Sequence, residues 1–176
     1  MHIETLAMDI IYQGRAFSVR NDLVRFPDQH TMQVDIIEHV GAVTILPVDE
    51  QERILFVRQY RHATGKELLE LPAGTLDKGE LPDQCALREI REETGFATGK
   101  LTKLGEFFLA PGYSTEYMVV YLATQLQRDP LPKDKDEIIT LQAIPVDKAY
   151  EMALHGKLQD GKSLAALLLA RPYLFG

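Results

Sequence analysis

Paired cysteines, a basic excess and long apolar runs are all missing from this chain. Its 176 residues include one cysteine, Cys85, which excludes an internal disulfide and suits a reducing compartment, so a cytoplasmic protein is expected. Lysine and arginine number 19 against 26 aspartates and glutamates, a net charge of −7. A chain of that sign lacks the basic face that nucleic acid or an anionic membrane requires, so neither is expected as a partner. An anionic substrate is still admissible where a bound cation supplies positive charge. Residues 1–15 carry His2, Glu4 and Asp9 instead of an uninterrupted apolar stretch of signal-peptide type. The most apolar run, 164–169, is too short to span a bilayer. Internal repeats and low-complexity tracts are absent too.

What is present suffices for one domain with a small appended lobe, since about 150 residues per domain is usual. A chain of this length can remove roughly 70% of its unfolded surface from water. Short β-prone stretches at 8–12, 16–26 and 32–37, separated by Gly14-Arg15 and Pro27-Asp28-Gln29-His30, predict three strands. Their apolar residues alternate only loosely with polar ones, and three strands alone are marginal in water. This lobe must pack on the rest of the chain or on a second copy. Runs at 42–48, 54–57, 101–109, 117–123 and 138–144 predict further strands. Between Gly79 and Gly95 the period turns helical. Pro82 suits the first turn, Cys85, Ala86 and Ile90 form an apolar stripe with Leu87 as a further candidate, and Gly95 stops the helix. Helices are also predicted over 147–155, ending at Gly156, and over 163–170, capped by Ser163 with Pro172 just beyond. Strands interleaved with a few helices predict a mixed α/β layered fold.

The 74–96 window concentrates charge: Asp77, Lys78, Glu80, Asp83, Arg88, Glu89, Arg91, Glu92 and Glu93. Most charge runs are solvated helix faces braced by i,i+4 pairs. Here the spacing adds a conflict. Glu89 and Glu93 are four apart and stack on one face, with Glu92 on its flank. Like charges so placed are destabilising unless a positive group lies among them. No lysine shares their face, and Arg88 is placed to pair with Glu92 or to reach back to Glu80. A hard divalent cation resolves the conflict, because Mg²⁺ takes oxygen ligands and commonly uses one or two carboxylates plus substrate phosphates. On these grounds a metal platform and a structural ion-pair face both stay open.

The same window resembles the signature of the Nudix hydrolase family, Gly-x5-Glu-x7-Arg-Glu-U-x-Glu-Glu-x-Gly-U, with U a bulky aliphatic or aromatic residue. It is met by Gly74, Glu80, Arg88, Glu89, Ile90, Glu92, Glu93, Gly95 and Phe96. The resemblance implies an α/β/α sandwich with a mixed sheet, and hydrolysis of a nucleoside diphosphate linked to another group, with Mg²⁺ or Mn²⁺ as cofactor. It implies Glu89 and Glu93 as the principal metal ligands and catalytic carboxylates. Glu92 and the backbone carbonyl of Ala73 are implied as further ligands. Gly74, Glu80, Arg88 and Gly95 are implied as structural, with Arg88 and Glu80 an ion pair that steadies the loop and helix. A general base is expected in the acidic 134–137 stretch, with Glu137 the first choice.

Pro111, 15 residues after Phe96, and the surrounding Ala110-Pro111-Gly112-Tyr113-Ser114-Thr115-Glu116 are similar to the ADP-ribose pyrophosphatase subgroup. So are Val57-Arg58-Gln59-Tyr60-Arg61 and Glu70-Leu71-Pro72-Ala73-Gly74. The implied substrate contacts are Arg61 on a phosphate, Glu70 on the adenine side or at an interface, and Gly112 and Glu116 in the loop. Arg58 is either a phosphate contact or a strand-end charge. The subgroup further implies a lobe of residues 1–40 exchanged across a homodimer, beside a catalytic domain of 41–176. Tyr12 and Phe17 are candidates for stacking on adenine or for the core. The expected reaction converts ADP-ribose to AMP and ribose 5-phosphate. A broader nucleoside-diphosphate-sugar pyrophosphatase acting on GDP-mannose, and a non-catalytic ligand-binding module, are the alternatives.

Overall fold

The computed structural model describes residues 2–132 and 138–176, and the chain divides into two units. The first comprises the N-terminal segment to Gly41 together with Phe108–Tyr117; the second comprises Ala42–Phe107 and Met118–Gly176. The 108–117 segment thus belongs with the N-terminal strands, an attachment that sequence distance conceals. In the first unit β1 (Glu4–Gln13), β2 (Ser18–Arg25) and β3 (Thr31–Glu38) form an antiparallel meander with β2 in the middle. Gly14 opens the first turn, where an added Cβ would lie 2.7 Å from the Tyr12 ring. The 108–117 loop is stitched to β3 by Ile37 N–H donating to the Tyr113 carbonyl and Thr115 N–H donating to that of Ile37.

The second unit carries two sheets. One has β10 (Ile139–Pro145), β5 (Arg53–Arg61) and β6 (Lys66–Glu70) in that order, all antiparallel. The other has the order β7 (Ala73–Thr75), β4 (Ala42–Pro47), β9 (Tyr117–Arg128), β8 (Phe96–Phe108). Because β4 runs antiparallel to β7 and parallel to β9, this sheet is mixed. Every residue of β4 is buried. Helices α1 (Pro82–Thr94) and α3 (Gly161–Phe175) both pack on β4, which accounts for a strand buried throughout instead of on alternate residues. Helix α2 (Val146–Leu154) packs on β10 and β5.

Three expectations need correction. Leu87 is 42% exposed and lies outside the buried stripe of α1, where Glu89 and Glu93 stand beside Cys85, Ala86 and Ile90. Carboxylates occupy positions that hydrophobic periodicity would assign to apolar residues. Asp160, not Ser163, caps α3: its carboxylate accepts the Ser163 N–H at 3.1 Å. The Ser163 hydroxyl instead accepts the Leu71 N–H at 2.7 Å and ties the chain after β6 to the helix. Pro172 lies inside α3, not beyond it. Its missing N–H would have bonded the carbonyl of Leu168, a residue 71% exposed, so water can satisfy that oxygen. Strands β6 and β7 are not expected from the sequence pattern, and β8 starts at Phe96, directly after the left-handed Gly95 (φ 79°).

Ser163→Ala is expected to lower stability by about 1–3 kcal/mol in urea unfolding, because the Leu71 N–H is left buried without an acceptor. A change near zero would mean that the backbone shifts to find another partner.

Candidate active site

The site grows out of the contact between α1 and β7. Pro82 presets the first turn of the helix, and the Gln84 side chain accepts the Leu81 N–H at 3.2 Å. Gly95 closes the helix by donating its N–H to the Arg91 carbonyl. In the intervening turns Glu89 and Glu93 face β7, 9% and 3% exposed. Glu93 Oε2 accepts the N–H of Ala73 at 3.2 Å. Glu89 lies over Gly74, where a Cβ would stand 1.8 Å from Glu89 Oε1, so no other residue fits at 74 without moving the carboxylate.

Strand register places one more oxygen here. Ile45 donates to the Pro72 carbonyl, and Thr44 lies opposite Ala73. Ala73 therefore occupies a non-hydrogen-bonded position of the ladder, with its N–H and C=O both turned off the open edge of β7. The N–H meets Glu93, and the C=O points to the same side.

Arg88 holds the arrangement together. Its Nε and Nη2 donate to the two oxygens of Glu80 at 3.0 and 2.9 Å. Its Nη1 donates to Glu89 Oε1 at 2.6 Å and to Glu92 Oε2 at 3.0 Å. Glu80 also accepts the Asp77 N–H, which fastens the loop before the helix. The hydrogen bonds from Arg88 outweigh partial burial and lower the pKa of Glu80 to about 2, while the same bonds raise that of Arg88. Spacing alone offers Arg88 either Glu80 or Glu92; it binds both, and Glu89 as well. Arg91 turns away to Asp129. One guanidinium thus serves three carboxylates, Glu80, Glu89 and Glu92, while Glu93 stands one turn beyond Glu89 on the same buried face.

Among the described residues no three carboxylate, imidazole or thiol side chains already stand at ligand spacing. The donor set nevertheless fits a hard cation: carboxylate and carbonyl oxygens around an excess of negative charge. Cys85 is buried beneath the site, and burial raises its thiol pKa, so no thiolate competes as a soft ligand.

A second charged group stands at the ends of β5 and β6. Glu70, 1% exposed, accepts from Arg61 Nε at 2.9 Å and Nη2 at 2.8 Å, and from Lys162 of α3. Burial opposes its ionisation, but the hydrogen bonds of Arg61 and the charge of Lys162 prevail and hold its carboxyl below the usual range. Arg61 also feels the negative charge of Glu93, which places it in the field of the glutamate helix. Arg58 projects from the opposite face of β5, where its Nε donates to Gln142 Oε1 at 2.9 Å. The two arginines are not brought together. Lys162 and Asp160 are not expected from the sequence pattern; a lysine just before the apolar 164–170 run is the available signal.

Gly112 and Glu116 belong to the first unit, in the loop stitched to β3. Glu116 N–H donates to Ser114 Oγ at 3.1 Å and its carbonyl accepts from Leu109 N–H. Phe17, with Gly14, Arg15, Glu38, His39 and Thr115, lines an open pocket of about 400 Å³ in that unit. Glu137 lies outside the described residues.

Comparison with known proteins places these features in context. A model of the NUDIX domain matches residues 38–167. An ADP-ribose pyrophosphatase of Bacillus subtilis (strain 168) is 32% identical over 166 residues, covering 93% of this chain and 90% of its own. An ADP-ribose pyrophosphatase of Mycobacterium tuberculosis is 37% identical over 168 residues, covering 94% and 81%. A crystal structure described as an ADP compounds hydrolase aligns with a TM-score of 0.88 at 24% identity, covering 99% of this chain and 95% of that one. At that identity the likeness speaks for the fold.

The Glu80–Arg88 pair makes stability depend on pH. Because the folded-state pKa of Glu80 is depressed, its contribution is complete above the ordinary value of 4.5 and is lost as pH falls toward about 2. The difference in Tm between the wild type and Glu80→Gln is expected to be constant near neutrality and to shrink between about pH 4.5 and 2. A difference that stays flat through that window would remove the ion pair from the list of stabilising contacts.

Proposed function

The chain belongs to the Nudix family, and on that premise we propose that it hydrolyses the diphosphate of ADP-ribose to AMP and ribose 5-phosphate. The observation that carries the reading is the convergence of Glu89 and Glu93 on the Ala73–Gly74 edge, beside an arginine that the charge of Glu93 reaches. Two relatives matched over most of both chains are ADP-ribose pyrophosphatases, which supports the choice of substrate.

Glu89, Glu92, Glu93 and the Ala73 carbonyl would hold Mg²⁺ or Mn²⁺. When bound, such an ion supplies positive charge for the phosphoryl oxygens and lowers the pKa of a coordinated water. The chain's own residues do the rest. Arg88 and Glu80 fix the carboxylates against their mutual repulsion, and the Ala73 N–H fixes Glu93. Arg61, whose Nε and Nη2 are taken by Glu70, keeps Nη1 as the donor for a diphosphate oxygen. Glu137 is the proposed base that takes a proton from the attacking water, and Gly112 and Glu116 are proposed to contact the nucleotide.

The same reading includes a homodimer formed through the first unit. Met8, Ile10, Ile11 and Tyr12 of β1 are exposed, a concentration of large apolar side chains that a second copy would cover. A reducing cytoplasm is proposed from the single, buried Cys85. No helix among the described residues is long and apolar enough to cross a membrane.

With ADP-ribose and Mg²⁺, chromatography should show AMP appearing, and Glu93→Gln should cut kcat by about a hundredfold or more at unchanged fold. Excess chelator should abolish turnover. Faster turnover of GDP-mannose would move the substrate assignment; undiminished activity in the variant or the chelator would end the metal platform.

A further inference from the structure

Lys162 is only 11% exposed on its side chain, which is uncommon for a residue that normally keeps its ammonium group in water. Its Nζ is held by Glu70 Oε2 and, at 3.0 Å, by Asp160 Oδ2. Tethering α3 to the chain after β6 does not require that buried charge. The neighbouring Ser163 already makes the tether through the Leu71 N–H, in a fully buried hydrogen bond. The charge must be accounted for otherwise.

Glu70 offers the explanation. It is bound on one edge by the planar fork of Arg61 and on Oε2 also by Lys162. Two acids, Glu70 and Asp160, then face two bases, Arg61 and Lys162, and the group is neutral. Without Lys162 the group carries −1, and Glu70 draws on the charge of Arg61 alone. Arg61 is the member that reaches outward, 40% exposed on its side chain and in the field of Glu93. Beside a helix that carries Glu89, Glu92 and Glu93, one further negative charge opposes any anionic substrate.

We propose that Lys162 is a positioning residue for diphosphate binding, acting through Glu70 to set the orientation and the unspent positive charge that Arg61 presents beside Glu93. The inference rests on the hydrolase reading above and adds a residue to it. Lys162 touches no reacting atom. Its effect falls on substrate affinity, and the chemical step is left alone.

The test uses the full-length enzyme with ADP-ribose and Mg²⁺. Lys162→Met is expected to raise KM about tenfold with kcat within about twofold of wild type, and Lys162→Arg to restore most of the loss. Asp160→Asn keeps a capping side chain while removing one negative charge, and is expected to lower KM by about twofold. Affinity for ADP-ribose, read by calorimetry in the Glu93→Gln background, should move with KM in each case. Equal KM in wild type and Lys162→Met, or a drop in Tm or kcat with KM unmoved, assigns Lys162 to stability alone and overturns the proposal while leaving the hydrolase intact. If Lys162→Met does not fold, Asp160→Asn decides: unchanged or weaker binding overturns the proposal. A wild-type enzyme that leaves ADP-ribose uncut overturns the hydrolase reading instead, and the calorimetric comparison still decides the role of Lys162.

Discussion

Repulsion among carboxylates on α1 is the constraint around which the second unit is arranged. Glu89, Glu92 and Glu93 project from little more than one helical turn, and Glu80 reaches them from the preceding loop. Arg88 spreads one positive charge over three of the four, using Nε, Nη1 and Nη2. A lysine could not do this, because a point charge lacks the planar fork that serves Glu80 on one edge and Glu89 and Glu92 on the other. The crowding of acids that remains is what the proposed cation would relieve.

Backbone geometry decides which side of the helix carries that charge. β7 is only three residues long and lies at the edge of its sheet, so one rim of its peptide groups is unpaired by any strand. Such an edge normally invites aggregation. Here it is covered by the glutamate face of α1, with Ala73 N–H spent on Glu93 and Gly74 leaving room for Glu89. The short strand, the glycine and the two buried acids are one device: changing any of them forces the others to move.

Much of this was legible in the sequence, and the exceptions have physical causes. The spacing of Gly74, Glu80, Arg88, Glu89, Glu92 and Glu93 gave the helix, its stop at Gly95 and the shared face of the acids, because local spacing and capping are properties of contiguous residues. Periodicity failed where a buried face is not apolar, so Leu87 entered the stripe and the two acids did not. β6 and β7 were too short to show a period, and they form only because β5 and β4 pair with them. Pro172 reads as a helix stop unless the lost carbonyl partner is known to face water. Ser163 reads as a cap until Leu71, 92 positions away in the chain, claims its hydroxyl. The Arg61–Glu70–Lys162 group likewise joins three separate elements, and only the first two residues lie close enough in sequence to be considered together.

The two buried acidic centres show how compensation sets chemical role. Glu70 and Glu93 are the same residue type, both almost excluded from solvent. Glu70 receives two side-chain cations and becomes a fixed anchor with no charge left to offer. Glu93 receives a backbone N–H from Ala73 and shares its helix with Glu89 and Glu92, which Arg88 binds. Desolvation makes an isolated carboxylate costly in either place. The fold meets that cost fully at Glu70 and partially at Glu93, and Arg61 stands where the two fields overlap. On the proposed reading, an anionic substrate arriving with dications would meet both signs of charge already held in place. That preorganisation, more than any single ligand, is what the proposed phosphoryl chemistry would draw on.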